Sequence, residues 1–218
     1  YKLLPGYHAT RRHASLIFIA SKATWEQMPT QYHDKCVYLP ENAIDPERFS
    51  LKRERKAERP IRCVFLGRLV PYKGPDMLLE AAAPLLRRGD ITLRYIGDGP
   101  LMSMLRQQVH EQRIPGVEFL GWVDHQQVQQ RLVEADLLTF PSIREFGGGV
   151  VLEAMALGLP PLIVDYGGPA ELVTPDTGFT VPLSSREKIV AALRDRLERL
   201  AADPAEIDRV SATAHDHA

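Results

Sequence analysis

The residues best suited to chemistry stand in a series of glycine-bearing loops. One loop reads Gly67-Arg68-Leu69-Val70-Pro71-Tyr72-Lys73-Gly74-Pro75. Gly67 removes a side chain where a strand should end, and Arg68 and Lys73 bring two permanent cations to a helix start that itself favours anions. A diphosphate would satisfy all three features; the plain alternative is a surface Arg and Lys in a turn. A second loop, Pro141-Ser142-Ile143-Arg144-Glu145-Phe146-Gly147-Gly148-Gly149-Val150, runs into the apolar stretch that carries Glu153. Three glycines allow close backbone approach, and amides at a helix start favour a negative or hydroxyl-rich ligand. Glu145 and Glu153 on either side can accept hydrogen bonds from sugar hydroxyls, one from a transferred hexose and the other from a ribose. For Glu153 the competing reading is an acid that merely complements the helix dipole. Arg144 beside Glu145 reads as a local ion pair.

Three further loops share the pattern. Gly97-Asp98-Gly99-Pro100 reads as a tight strand-to-helix turn, with Pro100 suited to a helix first turn. Gly121-Trp122-Val123 precedes Asp124, a helix N-cap candidate; a flat base could lie on this backbone, or the loop is simply structural. In Asp165-Tyr166-Gly167-Gly168-Pro169-Ala170-Glu171, paired glycines open a helix, and Glu171 reads as structural rather than ligand-binding.

The elements that must position these loops follow from periodicity. After Pro60, short apolar runs alternate with longer amphipathic stretches, as in a parallel sheet with crossover helices. Strands are expected at 62–66, 92–96, 117–120, 136–140 and 161–164. Helical stripes fall at Met77, Leu78, Ala81, Ala82 and Leu85, at Leu101, Leu105 and Val109, and at Val128, Leu132 and Ala135. Ser184 is the expected cap of a helix from about Arg186 to Ala201, followed by a polar tail that is frayed or docked on another domain. Upstream, 15–20 and 35–39 read as strands, with Ser21 capping a helix between them. Residues 51–60 are dense in charge with almost nothing apolar, and read as a solvated linker. The fold class is therefore α/β: a Rossmann-like parallel sheet with helices on both faces over 61–202, a remnant of a preceding domain over 1–50, and a tail over 203–218.

Bulk properties bound the function. The 218 residues are 44% hydrophobic, enough for one full α/β domain and part of a second. With 27 basic and 28 acidic side chains the formal net charge is -1, so no global field draws the chain to nucleic acid. Any bound anion must be held locally. Cys36 and Cys63 have neither disulfide-framework nor metal-ligand spacing, and read as buried thiols of a reducing compartment. No run of about twenty apolar residues occurs, and the start has no signal-peptide layout, so the chain reads as a fragment.

In this order and spacing, several pieces together resemble the retaining GT-B glycosyltransferases of the group 1, or family 4, type. They are Asn42-Ala43-Ile44-Asp45 with Phe49, GRL…KG, YIGDGP, FLGWV, and Glu145-x7-Glu153 leading into EAMALGLPPLIVDYGGPAELV. The resemblance runs from about Ser15 to Leu200. It implies the C-terminal, donor-binding domain of a two-domain enzyme that transfers a hexose from a nucleotide-diphosphate sugar, UDP- or GDP-linked, with retention of configuration. The implied acceptor is a growing polysaccharide or lipid-linked glycan. By this resemblance Arg68 and Lys73 hold the donor diphosphate, Glu145 the donor sugar, and Glu153 the ribose; Arg68, Lys73 and Glu145 are the catalytic candidates. Gly67, Trp122, Val123, Gly147, Gly148, Gly149 and Val150 complete the donor-binding set. The family implies no metal or other cofactor, a cytoplasmic location that extends to the inner membrane face, and membrane contact only through the N-terminal domain. Two departures stand out: Phe146 comes one position early, with Gly147 in the aromatic's place, and Asn42-Ala43 replaces Asn-Gly. The fragment alone is expected to bind donor and to transfer poorly. A nicotinamide oxidoreductase lacks its G-x-G-x-x-G after the first strand, and a non-catalytic nucleotide-sugar module is the alternative from another class.

Overall fold

The computed structural model describes residues 6–39, 43–45, 47, 49–53, 56–145 and 147–217. The first unit contains α1 (Tyr7–His13), β1 (Ile17–Ile19), α2 (Lys22–Gln27), a 3-10 turn and β2 (Cys36–Tyr38), with β1 and β2 paired in parallel. Ser21 caps α2 as expected, its side chain accepting from the Thr24 amide at 3.2 Å.

The second unit alternates strand and helix: β3 (Ile61–Leu66), α3 (Pro75–Arg88), β4 (Ile91–Ile96), α4 (Met102–Glu111), β5 (Val117–Gly121), α5 (His125–Val133), β6 (Leu137–Phe140), α6 (Gly149–Ala156), β7 (Pro161–Asp165), α7 (Gly167–Leu172), β8 (Phe179–Pro182), α8 (Arg186–Ala202) and α9 (Ala205–His217). Its six strands are all parallel, in the order β5-β4-β3-β6-β7-β8. The chain thus moves one way across the sheet from β3 to β5 and the other way from β6 to β8. Right-handed crossovers then put α3 and α6 on opposite faces, where α3 packs on α8 and α6 on α9. Both faces being covered, the central strands are apolar throughout: Leu137, Leu138, Thr139 and Phe140 are all buried.

Within α3, Pro84 has no N–H to give Glu80, its partner four residues back. Arg194 of α8 supplies the missing donor, its Nη2 lying 3.3 Å from the Glu80 carbonyl oxygen.

The structure departs from the sequence expectations in several places. β8 is absent from the sequence expectations: it is a four-residue edge strand, FTVP, with only Phe179 and Val181 buried, too short for its alternation to stand out. The helix expected after Ser184 has Ser185 at its N-cap position instead, without a capping bond from that side chain. Pro100 lies in a turn before α4 rather than in its first turn. The tail is neither frayed nor docked elsewhere, because α9 buries Ile207, Val210 and Ala214 against its own domain.

The same helix explains why the charged stretch is not wholly solvated. Arg53, at 7% exposure, bonds Asp136 and Asp208 at 3.2 Å each, and Asp208 also accepts from the Ala57 amide at 2.9 Å. Arg62 also reaches Asp136, at 3.0 Å. Asp136 is fully buried, so its charge requires these partners. Beside it, burial pushes the Cys63 thiol well above the usual range, with the Asp136 charge adding to the effect. Cys36 is only partly buried and donates to the Tyr32 carbonyl at 3.3 Å.

Candidate functional site

β3 and β6 are neighbours in the sheet, but the chain leaves them in opposite directions. Their following loops therefore diverge and open a crevice at the carboxyl ends, the position at which open α/β sheets take ligands. The loops after β3 and β6 carry every charged candidate except Glu153.

Glycines decide how closely these loops approach. A Cβ on Gly97 would lie 2.0 Å from the Gly67 carbonyl oxygen, and one on Gly99 would lie 2.6 Å from that of Leu69. The loops after β3 and β4 are bonded along this seam, from the Leu69 amide to the Asp98 carbonyl at 2.9 Å and from the Leu101 amide to the Leu69 carbonyl at 3.0 Å. Gly74, at φ 72°, sits so close to Pro141 that a Cβ would lie 2.6 Å from its carbonyl oxygen. Across the crevice the Ile143 amide donates to the Tyr72 carbonyl at 2.9 Å and the Ser142 hydroxyl to the same oxygen at 3.3 Å.

This framework brings Lys73 to Glu145. The ammonium donates to the Glu145 carboxylate and lies over the Phe140 ring, 4.9 Å from its centroid. Both side chains are largely shielded, each 17% exposed. The expected local pair of Arg144 with Glu145 does not form: Arg144 is exposed and makes no ion pair among the described residues, because Lys73 occupies its acid. Arg68 shares a loop with Lys73 and is exposed, and its guanidinium makes no hydrogen bond or ion pair among the described residues. The Phe146 and Asn42 departures lie outside the described residues.

The glycine run opens α6 with Gly148 as its N-cap, at φ 79°, and Gly149 as the first helical residue. No side chain caps this end. Gly148 lies against Pro169 and Gly167 against the Glu145 backbone, so the β7 loop braces the turn from behind. Gly147 is partly buried, and Val150 packs on the core. Glu153 is the fifth residue of α6, beyond the first turn in which the helix dipole acts, so complementing the dipole does not explain it. Its carboxylate meets His125 Nε2 at 3.2 Å. Trp122 is 74% exposed, whereas Val123 packs on the core and Asp124 caps α5 by accepting from the Gln126 amide at 2.8 Å.

Glu171 is structural, as expected. It accepts from the Lys22 amide at 2.5 Å and from the Tyr38 hydroxyl at 3.0 Å, joining α7 to the first unit. That hydrogen bond raises the Tyr38 pKa, with desolvation and the Glu171 charge adding to it.

Two neighbours had no signal in the sequence. Phe140 is an ordinary apolar strand residue until the fold sets Lys73 above it. His125 follows a helix cap, a position that carries no mark of contact with α6. A separate cavity lined by Arg62, Thr92, Arg94, Glu118 and Glu134 lies at the amino-terminal ends of the strands. There Arg94 is already neutralised by Glu118 at 2.7 Å and Glu134 at 2.6 Å. Among the described residues no group of three His, Cys, Asp or Glu could hold a metal ion, and no helix is long and apolar enough to cross a membrane.

Comparison with known proteins gives this crevice a context. The chain is 29% identical over 221 residues to the alpha-D-kanosaminyltransferase of Streptomyces kanamyceticus, covering 95% of this chain and 56% of that protein. It is 36% identical over 141 residues to a GDP-mannose-dependent monoacylated alpha-(1-6)-phosphatidylinositol monomannoside mannosyltransferase of Corynebacterium glutamicum, covering 61% of this chain and 36% of that protein. It thus spans about half, or less, of the length of these relatives. The Anabaena protein HepE, solved with UDP and glucose, superposes with a TM-score of 0.74 at 21% identity, covering 96% of this chain and 59% of that one; the shared fold is that of GT-B glycosyltransferases. The family model "Glycosyl transferases group 1" matches residues 47–209, which contain the whole crevice, and the chain belongs to that family.

Proposed function

We propose that this chain is the donor-binding half of a retaining glycosyltransferase that moves a hexose from a nucleotide-diphosphate sugar, UDP- or GDP-linked, to a glycan or lipid-linked acceptor. The observation that carries the reading is the contact of Lys73 with Glu145 across the crevice between the β3 and β6 loops. A cation suited to phosphate and an acid suited to sugar hydroxyls are already adjacent there, with Arg68 on the same loop.

In this reading the diphosphate draws Lys73 away from Glu145, and the freed carboxylate accepts from the hexose hydroxyls. As the bond to the anomeric carbon breaks, negative charge builds on the departing nucleotide. Lys73, Arg68 and the uncapped amides of α6 stabilise that charge, which is the main catalytic work in such transfers. These groups supply positive charge without a resident metal. Retention follows if leaving and attacking groups share one face of the sugar, so the two-carboxylate scheme of glycoside hydrolysis does not apply. Glu153 holds the ribose, and Val123 with Trp122 faces the base. The first unit, with β1 and β2, is the end of the acceptor-binding half, and the enzyme works in the cytoplasm, reaching the inner membrane face through that half.

Calorimetric titration with UDP and GDP tests the core of this reading. Binding is expected, and Lys73→Ala or Arg68→Ala should each weaken it by more than tenfold, about 1.4 kcal/mol or more. Parental affinity in both variants refutes the diphosphate assignment.

A further inference from the structure

A cavity of about 480 Å³ lies at the joint of the two units, within the size range of small-ligand sites. From α2 come Lys22, Glu26 and Gln27, on one side of the helix because residues 22 and 26 are one turn apart. The second unit contributes Asp165, the last residue of β7, then Tyr166, and Leu183 just after β8. The cavity therefore opens at the carboxyl edge of the sheet, as the crevice does. The two are neighbours: Gly167, on the cavity wall, packs so closely on Glu145 that a Cβ would lie 2.4 Å from its carbonyl oxygen.

The polar groups around this cavity are largely unspent. Among the described residues the Glu26 and Asp165 carboxylates and the Lys22 ammonium make no hydrogen bond or ion pair. The Tyr166 hydroxyl accepts from Gln27 Nε2 at 3.3 Å, so its own proton remains to give. Ionised carboxylates only accept, and two of them beside one phenol and one ammonium suit a ligand rich in hydroxyls. The two free carboxylates, with Glu171 in the same wall, outweigh Lys22 and disfavour an anion. Leu183, 48% exposed, offers an apolar edge to the C–H face of a sugar ring.

We propose that this cavity binds an uncharged sugar unit of the acceptor glycan and presents it to the donor hexose held at Glu145. The inference deepens the reading of the chain as a glycosyltransferase and rests on it. Asp165, Glu26 and Tyr166 bind the hydroxyls of the acceptor sugar and take no part in holding the nucleotide.

The test is NMR titration of the full chain, saturated with UDP or GDP, with methyl α-glucoside, methyl α-mannoside and methyl α-glucuronide; thermal melts confirm that each variant folds. At least one neutral glycoside should bind saturably, with Kd on the order of 1 mM to 10 mM, and the glucuronide at least about fivefold more weakly. Asp165→Asn and Tyr166→Phe should each weaken the neutral glycoside by about fivefold, and Asp165→Asn should also narrow the discrimination against the glucuronide. Nucleotide affinity in both variants should stay within about twofold of the parent. Glycoside binding that is insensitive to both substitutions overturns the inference, and its loss in Glu145→Gln would place the sugar in the donor crevice instead. Glucuronide binding as tight as glucoside binding, or no binding of either neutral glycoside, overturns it as well. A chain that binds neither nucleotide removes instead the donor reading, and the acceptor role of the cavity with it.

Discussion

Replacing Glu145 by Gln separates its observed contact with Lys73 from the sugar-binding role proposed for it. Without ligand the carboxylate is bound to Lys73, with each side chain 17% exposed, so a diphosphate must compete for an ammonium already engaged. A charge-assisted hydrogen bond of this kind contributes about 1.5–3 kcal/mol net. Even the lower figure, returned to the ligand when the charge is removed, corresponds to about tenfold tighter binding. Glu145→Gln should therefore bind UDP or GDP about tenfold more tightly than the parent. The same change replaces one of the two acceptor oxygens proposed for the hexose hydroxyls by an NH2 donor and removes the charge on the other, so the variant should lose part of the parent's preference for the sugar nucleotide over the bare diphosphate. Folding should survive, because Lys73 keeps the Phe140 ring beneath it at 4.9 Å and is not wholly desolvated. The assay is calorimetry with UDP, GDP and the corresponding glucose and mannose donors. Unchanged or weaker diphosphate binding in a folded variant would refute the competition between phosphate and carboxylate.

Three further outcomes follow from the fold. Arg53→Met should destabilise the chain by about 3 kcal/mol, because it leaves the buried Asp136 with one arginine fewer and Asp208 with the Ala57 amide but without its arginine. For a chain of this size that is a fall in Tm of roughly 6–12 °C by calorimetry, and a change below about 2 °C would contradict the clamp. Gly97→Ala places a methyl 2.0 Å from the Gly67 carbonyl oxygen at φ 127°, so it should cost about 2 kcal/mol or more in denaturant unfolding and weaken diphosphate binding by moving the Arg68 loop. Parental stability in Gly97→Ala would show that the seam is looser than drawn. The Tyr38 pKa is raised in the folded state, so its bond to Glu171 contributes fully below the ordinary tyrosine pKa near 10 and is lost as pH rises through the higher folded value. Ultraviolet titration of the parent minus Tyr38→Phe should therefore show one phenol ionising above pH 10; a midpoint at or below that value would remove the Glu171 contact.

Much of the second unit is local in origin and is therefore readable in the chain. Short apolar runs mark β3 to β7, amphipathic stripes mark α3, α4 and α5, and Ser21 and Asp124 cap helices through bonds only two or three residues away. β8, with two inward side chains, had too few positions to establish a period. The charged stretch at 51–60 and the polar tail escape a reading by composition for one reason: composition records how costly a charge is to bury, not whether a partner awaits it. Arg53 is buried because Asp208 arrives from a helix 155 residues later and Asp136 from the start of β6.

The candidate site divides along the same line. Arg68, Lys73, Glu145 and Glu153 were legible as types of side chain beside glycines at strand ends, because strand-end loops are where a parallel sheet exposes its backbone. Their pairing was not. Lys73 prefers Glu145 to any neighbour in sequence, and leaves Arg144 without that acid, only because reversal of the strand order at β3 and β6 sets two loops about seventy residues apart face to face. His125 meets Glu153 for a similar reason, across the gap between two helices that no periodicity relates. The sequence by itself determined which elements form and which loops carry charge, since those follow from short-range sterics and hydrophobic period. The tertiary structure alone decided which charges meet, because that depends on strand order and on contacts between residues far apart in the chain.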